Sequence, residues 1–197
     1  LDNSLMAIQI NGNGTITGIS VGGLPDGIVD TDMIANNAVT NAKATGIAGG
    51  KVLQTATGTT NTNTSHGISG WTDTTLTASI TPATTGSKIL VMISQAFEVA
   101  SGAGSVDAGA AIRLLRDSTV IDEATSGSGN PHKMYTYAGN ASGWSFYMHY
   151  GFTILDSPNT TSSVTYKTQA KSYYGSHTLN SQQSDIRSYI TLMEIGA

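Results

Sequence analysis

The chain has 197 residues, no cysteine and a formal net charge of -4, and only 11% of its residues are charged, against roughly 25% in an average soluble domain. Thr, Ser, Gly and Asn together supply 85 of the residues, a composition that favours short strands and turns over helices. The absence of cysteine excludes disulfides, thiolate catalysis and Cys-ligated zinc, and nine scattered basic residues offer no footprint for nucleic acid.

Residues 1–27 are predicted to form a β-rich stalk or attachment segment. The run "MAIQINGNGTITGISV" indicates a β-hairpin of two short alternating strands. The pairs Asn11-Gly12 and Asn13-Gly14 between them supply the positive φ angles that tight hairpins require. A turn is expected to follow at Leu24-Pro25-Asp26-Gly27.

Residues 28–50 are predicted to form a short helical bundle and linker. In "DTDMIANNAVTNAKATG", Asp30 or Thr31 is a suitable N-cap, Lys43 lies in the last turn and Gly46 is a stop signal. The apolar stripe is short and rich in alanine, which allows three copies to approach closely around an axis; its members are Ile34, Ala38 and Ala42. The alternative is a solvated helical linker, because isolated helices of this length are marginal.

The leading 49 residues contain no aromatic side chain and one basic residue, Lys43. A segment of about 50 residues with so little apolar surface and no cross-links cannot stabilise itself. We therefore expect the protein to be an oligomer.

Residues 51–197 are predicted to form an antiparallel jelly-roll β-sandwich, so the fold class is mainly β. In "TLTASIT", apolar and hydroxyl side chains alternate, and "KILVMISQAFEV" is the near-continuous apolar run expected of a strand covered on both faces. Further strands are expected in "AAIRLL", "TVIDEA", "WSFYMHYGFTIL", "SVTYKTQAKS" and "IRSYITLMEI", which gives about eight or nine strands in all.

One part of the sequence resembles the carboxy-terminal domain of tail-fibre and other virion appendage proteins of tailed bacteriophages. A Val-Leu-Gln opening leads through a Thr-rich stretch to a Leu-x-x-x-Ile-Thr-Pro and Ser-Lys-Ile-Leu-Val core, and "ITLMEIGA" resembles their closing strand. The upstream "IVDTDMIANNAVTNAKATG" is similar to repeats of their shafts. The core positions are Val52, Leu53, Gln54, Leu76, Ile80, Thr81, Pro82, Ser87, Lys88, Ile89, Leu90 and Val91.

The resemblance implies a homotrimeric fibre of a virion whose terminal domain is a jelly roll like that of tumour necrosis factor. Such a fibre would contact other virion proteins through its N-terminal region and bind a host surface glycan or outer-membrane component. A capsid-attached fibre or decoration protein is the alternative within virions.

Catalysis is not expected. A glycan-cleaving, tailspike-like hydrolase is the enzymatic alternative, and it would need two carboxylates about 5 to 10 Å apart. No cofactor or metal is predicted, because the histidines at 66, 132, 149 and 177 never form a close pair. No apolar run approaches the length of a bilayer, so membrane insertion is not expected. The candidate carboxylates are Glu98, Asp107, Asp122, Glu123 and Asp156.

Strand direction predicts where the binding loops lie. If consecutive strands run antiparallel and the first leads away from the stalk, the long connections fall together at the far end and the short ones at the near end. Function on a sandwich commonly lies on loops at one end. The long connections are expected at 58–65, 100–108, 125–142 and 173–184.

The loops at that far end contain the candidate receptor-binding residues. Tyrosine and histidine rings combine a flat apolar face with a polar edge, which suits a sugar or a polar surface. The alternative is that some of these rings pack under the loops or between subunits. The candidates are Tyr135, Tyr137, Tyr173, Tyr174 and His177.

Overall fold

The computed structural model describes residues 51–101, 107–123, 134–137, 143–173 and 177–196, with the backbone alone at 107 and 135–137. All of them belong to Ala48–Ala197, the second of two units into which the chain divides. The predicted hairpin and helical bundle of residues 1–50 lie outside the described residues. Within these ranges, no helix has the length and apolar character needed to cross a membrane.

The described residues are mainly β, as the composition predicts. One 3-10 turn, Gln183–Asp185, interrupts them. The strands are β1 (Val52–Thr60), β2 (Thr64–His66), β3 (Thr72–Ile80), β4 (Lys88–Ser101), β5 (Asp107–Arg116), β6 (Thr119–Glu123), β7 (Met134–Tyr137), β8 (Trp144–Asp156), β9 (Val164–Ser172), β10 (Thr178–Ser181) and β11 (Ser188–Ile195).

These strands form two antiparallel sheets. In sheet A, β8 pairs along the whole of β4, while the other edge of β4 is shared by β11 and β10. β1 covers β11, and β2 covers β10. In sheet B the order is β3, β9, β5, with β6 and β7 sharing the far edge of β5.

The core lies between the two sheets, which confirms the predicted β-sandwich. Leu76, Ala78 and Ile80 of β3 point inward, as their alternation predicts. They pack against side chains of sheet A that include Ile190 and Leu192. Apolar residues from both sheets thus leave water together, which is the main source of stability in a chain without cross-links.

Strand β4 differs along its length from the continuous burial that its apolar run predicts. Its first half alternates between buried and partly exposed residues, whereas every residue from Gln95 to Val99 is buried. The apolar run therefore predicted two-sided burial correctly only for the second half of the strand.

Three predicted loops are wrong in extent. Residues 58–65 were expected to be a connection, yet β1 continues to Thr60, and Ser65 of β2 pairs with Asn180 of β10. Residues 125–142 contain β7, so Tyr135 and Tyr137 lie on a strand and not in a loop. Residues 173–184 likewise contain β10. The local Thr, Ser and Asn composition suggests loops, but backbone N–H and C=O groups pair in a sheet whatever the side chain, provided that a neighbouring strand is present.

All the registers are antiparallel and define two ends of the sandwich. The eight predicted strands alternate in direction, whereas β1 and β2, β6 and β7, and β10 and β11 each run in the same direction. At the entry end, where the described chain begins and finishes, the N–H of Gly196 donates to the carbonyl of Lys51 at 2.9 Å. At the opposite loop end, Ser101 pairs with Trp144, and Ala100 pairs with Thr178. The strands flanking residues 102–106, 138–143 and 173–177 therefore end together, opposite the entry end.

Buried carboxylates hold the entry end together. Glu194 accepts hydrogen bonds from the backbone N–H of Ala83 at 2.7 Å and from Gln54 Nε2 at 2.6 Å. Burial alone would raise the pKa of Glu194, but these hydrogen bonds and one from Ser87 outweigh it and lower the pKa.

A second carboxylate joins the two sheets at the same end. Asp156 Oδ2 of sheet A accepts hydrogen bonds from Arg116 and from the hydroxyl of Tyr166, both at 2.6 Å and both in sheet B. Burial and the neighbouring Asp156 carboxylate raise the pKa of Tyr166. The hydroxyl therefore stays protonated and keeps its donor role at neutral pH.

Candidate ligand-binding surface at the loop end and on sheet B

Strand β5 brings three of the predicted receptor-binding residues to one place. Gly109 pairs with Tyr135 across the strand register, and its carbonyl accepts a hydrogen bond from the backbone N–H of Tyr173 at 3.0 Å. Tyr137 pairs with Asp107 two residues away. β7 and β9 therefore place these tyrosines on either side of β5, while Tyr174 lies outside the described residues.

The ring of Tyr173 lies beside a charged neighbour. It is half-buried, and the ammonium of Lys171 lies 5.7 Å from its centroid, within the range of a cation–π contact. Burial and the nearby Glu123 carboxylate raise the pKa of Tyr173. The phenol is therefore neutral at physiological pH and offers both a donor and an apolar face.

His177 is fixed to the same strands. It is half-buried, and its Nε2 lies 3.0 Å from the hydroxyl of Ser172. Burial lowers the pKa of His177, and a hydrogen bond with the backbone of Gly109 partly opposes that effect. The imidazole is thus anchored to the ends of β5 and β9, while its burial favours the neutral form.

The outer face of sheet B carries a set of linked polar side chains that the sequence analysis missed. We call this set the polar ladder. Its members lie on β3, β9, β5 and β6 and on the residue just before β3, and they are Trp71, Asp73, Arg113, Glu123, Lys167 and Gln169.

Each member of the polar ladder contacts the next across neighbouring strands. Lys167 Nζ donates to Asp73 Oδ2 at 3.0 Å, and Gln169 Nε2 donates to Asp73 Oδ1 at 2.6 Å. Arg113 Nε then donates to Gln169 Oε1 at 2.8 Å. Burial alone would raise the pKa of Asp73, but these two hydrogen bonds and the charges of Lys167 and Arg113 lower it. Asp73 is therefore an anion at neutral pH.

Arg113 ends the polar ladder with two further contacts. Its guanidinium lies 4.6 Å from the ring centroid of Trp71, and its Nη1 atom lies 3.3 Å from Glu123 Oε2. The Glu123 carboxylate is also the charge that, after burial, raises the pKa of Tyr173. Alternation in "SVTYKTQAKS" places Lys167, Gln169 and Lys171 on one face of β9, and this is the signal that could have revealed the polar ladder.

Three of the five carboxylates considered for a hydrolase take part in structural contacts. Glu98 of β4 is buried and accepts a hydrogen bond from Asn180 Nδ2 at 2.9 Å. Glu123 pairs with Arg113, and Asp156 is held by Arg116 and Tyr166 as described above. Within the described ranges, no group of three or more His, Asp or Glu side chains is arranged to hold a metal ion.

The outer face of sheet A is apolar where that of sheet B is polar. Leu155, Tyr189 and Tyr147 are 54%, 47% and 47% exposed. They lie on the same side of the sheet because their partners on β4 share one face of that strand. These partners are Leu90, Ser94 and Glu98. Val52, 50% exposed, continues this surface beside Ile195. Such a set of exposed apolar side chains is typical of a surface that another molecule covers.

Comparison with known proteins adds little to this description. No protein-family model and no curated protein matches the chain. Among solved structures, a chain in the structure of the Gt strain of infectious bursal disease virus is similar to 75% of this chain, with 14% identity and a TM-score of 0.30. The aligned part covers 38% of the viral chain. Similarity at this level carries no argument about function.

Proposed function

We propose that the protein is a structural component of a virion, a homotrimeric fibre whose C-terminal head binds the host cell surface. The observation that carries the proposal is the separation of the two ends of the sandwich. The chain enters and leaves at one end, whereas the strands that flank the long connections finish at the other. A head carried on a fibre needs this arrangement, because its contact loops must lie opposite its attachment.

The strand order supports a jelly roll as the topology of this head. If β1 and β2, β6 and β7, and β10 and β11 are each taken as one interrupted strand, the sandwich has two four-stranded sheets. Successive strands then alternate between sheets except at the β5–β6 hairpin. Eight strands in two such sheets are characteristic of jelly rolls.

The apolar outer face of sheet A supports association between heads. Leu155 and Tyr189 would be buried against neighbouring copies, and the leading 49 residues would associate in the same trimer because they cannot form a core alone. The loop end then remains free for the host, with Tyr135, Tyr137, Tyr173, Tyr174 and His177 as the receptor-binding candidates and a glycan or an outer-membrane component as the ligand.

Three measurements test the proposal. Sedimentation of the full chain should give three times the chain mass, and a gold-labelled antibody against residues 51–197 should mark an appendage on intact virions. In addition, the purified protein should compete with virions for adsorption to host cells. A monomer in solution, particles without label, or unchanged adsorption would each contradict a separate part of the proposal.

A further inference from the structure

Strand β3 is irregular in its middle. Asp73 pairs with Gln169 and Thr77 pairs with Lys167, so the three residues between them face the single residue Thr168. Within this bulge, Thr75 has a φ of 65°. A positive φ is a genuine outlier for a β-branched residue, and such a conformation persists only where its surroundings fix it.

Threonine hydroxyls fix the bulge in place. Thr74 Oγ1 lies 2.5 Å from Thr168 Oγ1 and also donates to the Thr168 carbonyl at 3.2 Å. Thr75 Oγ1 lies 2.9 Å from Thr60 Oγ1 of β1. On the other side of the bulge, Thr77 Oγ1 donates to the carbonyl of Tyr166 at 3.0 Å. These hydrogen bonds therefore hold the bulge of sheet B in one conformation.

A cavity of about 130 Å³ opens at this bulge on the outer side of sheet B. An apolar cavity of about 150 Å³ takes up a benzene ring, so this open space is large enough to receive one edge of a sugar ring. The Asp73 carboxylate and the Lys167 ammonium meet beside the cavity, 3.0 Å apart. We call it the bulge pocket, and it is lined by Asp73, Thr75, Leu76, Thr77, Lys167 and Thr168.

We propose that the bulge pocket binds one neutral pyranose ring of a surface glycan. Sugar hydroxyls both donate and accept, and the pocket offers both functions. Each Asp73 oxygen has a second lone pair beyond its present hydrogen bond, and the ammonium of Lys167 carries three N–H donors, of which Asp73 takes one. The hydroxyl oxygen of Thr77 donates to Tyr166 and retains accepting capacity.

The charges of the pocket and the fixed positions of its side chains define the ligand further. Asp73 and Lys167 carry opposite charges at the same pocket, so an anionic or cationic ligand would meet one repulsive group, whereas a neutral ring meets none. Most of the surface that lines the pocket is apolar, which suits the C–H face of the ring. Gln169 holds Asp73, and Arg113 in turn holds Gln169, before any ligand arrives, which reduces the ordering cost of binding.

This inference does not require the virion location or the trimer. It concerns a pocket on the face of sheet B, away from the tyrosines of the loop end, so the two sites fail separately. A titration of the full chain with glucose, galactose, mannose and N-acetylglucosamine, followed by amide NMR, tests it. Glucuronate and glucosamine serve as the charged comparison ligands.

We expect at least one neutral sugar to shift the amide signals of residues 73–77 and 167–168 in a saturable manner. Lys167→Met should weaken that binding about tenfold, because it removes a hydrogen bond from a charged donor. Lys171→Met is the matched control, since it removes the same charge from the same face of β9 outside the pocket, and it should leave the sugar-induced shifts of residues 73–77 and 167–168 equal to those of the wild type. Asp73→Asn should reproduce the loss without changing the shape of the pocket.

Three results would overturn the inference. They are the absence of saturable shifts with every neutral sugar, preferential binding of a charged sugar, and equal binding by the wild type and Lys167→Met. A loss of binding in Lys171→Met alone would move the sugar to the loop end beside Tyr173, which supports the proposed receptor surface and rejects the bulge pocket. Thermal denaturation of each variant verifies that it folds.

Discussion

The side chains on the outer faces of the two sheets differ in how far they are hydrogen-bonded and how much apolar surface they leave exposed. On sheet B, Asp73, Gln169 and Arg113 hydrogen-bond one another, so their charged and amide groups are ordered while still facing water. On sheet A, Leu155 and Tyr189 remain about half exposed and have apolar surface to bury. Sheet B can therefore receive a polar ligand as it stands, whereas sheet A gains stability by being covered.

The largest expected effect comes from a close approach of the two sheets at Gly58. Gly58 of β1 faces β3, and a Cβ added there would lie 1.9 Å from the carbonyl oxygen of Thr77. Gly58→Ala should lower the free energy of unfolding by about 3 kcal/mol, because the backbones of both sheets must shift. Gly70→Ala, where an added Cβ meets no atom within 4 Å, is the control. Equal urea denaturation curves for the two variants would show that the sheets do not touch at Gly58.

A second effect concerns pH and the contact between the sheets near the loop end. His66 of sheet A is 4% exposed, its Nδ1 lies 2.5 Å from Thr72 Oγ1 of sheet B, and its Nε2 lies 3.0 Å from Ser181 Oγ. Burial lowers the pKa of His66 from 6.5 to about 4. Between pH 6.5 and pH 4 the unfolded chain therefore protonates this imidazole, whereas the folded chain does not. The contribution of His66 to the free energy of unfolding is thus complete above pH 6.5 and falls as the pH drops toward 4.

The change between pH 7.5 and pH 5 should be about 2 kcal/mol, measured by urea denaturation. This window lies above the range in which Glu194 and Asp73 lose their stabilising charge, since both have lowered pKa values. His66→Gln should remove most of the dependence, whereas His149→Gln, at an exposed position, should leave it intact. A wild-type stability that is flat across this window would contradict the buried neutral imidazole.

A third prediction tests whether sheet A is the covered face. Leu155→Glu places a charge on that surface and should weaken self-association by about 2 kcal/mol for each subunit, the value of one buried leucine. Sedimentation equilibrium over a dilution series measures it. Ser79→Glu introduces the same charge on the outer face of sheet B and should leave the assembly unchanged. If both variants associate like the wild type, sheet A does not form the contact between copies.

The smallest expected effect on stability lies at the loop end. Replacing Tyr173 and Tyr174 together by Ala should weaken adsorption to host cells while costing less than about 1 kcal/mol of stability for Tyr173, the range of one exposed cation–π contact. Adsorption and the thermal midpoint are measured on the same protein. If the double variant loses its fold, these tyrosines belong to the core, and Tyr135 and Tyr137 become the receptor candidates; normal adsorption would remove Tyr173 and Tyr174 from the receptor surface.

The sequence by itself determined the fold class and which side chains share a face on several strands. The alternation of Leu76, Ala78 and Ile80 with hydroxyl residues identified the buried face of β3, and the pattern of β8 placed Tyr147 and His149 on one side. Both follow from the two-residue period of a strand, which is a local property. The antiparallel pairing was also predicted, although β1 and β2, β6 and β7, and β10 and β11 each run in the same direction as interrupted parts of one strand.

Only the tertiary structure decided which strands are neighbours and where strands continue through loop-like composition. Residues 64–66 and 178–181 are strands because each pairs with the other. The residues of neither segment predict a strand by themselves. The polar ladder and the bulge pocket depend on the same information, since Asp73 and Lys167 are 94 residues apart along the chain. Periodicity gives the face on which a side chain lies, but its partner is set by the order and register of strands, which form through long-range packing of the core.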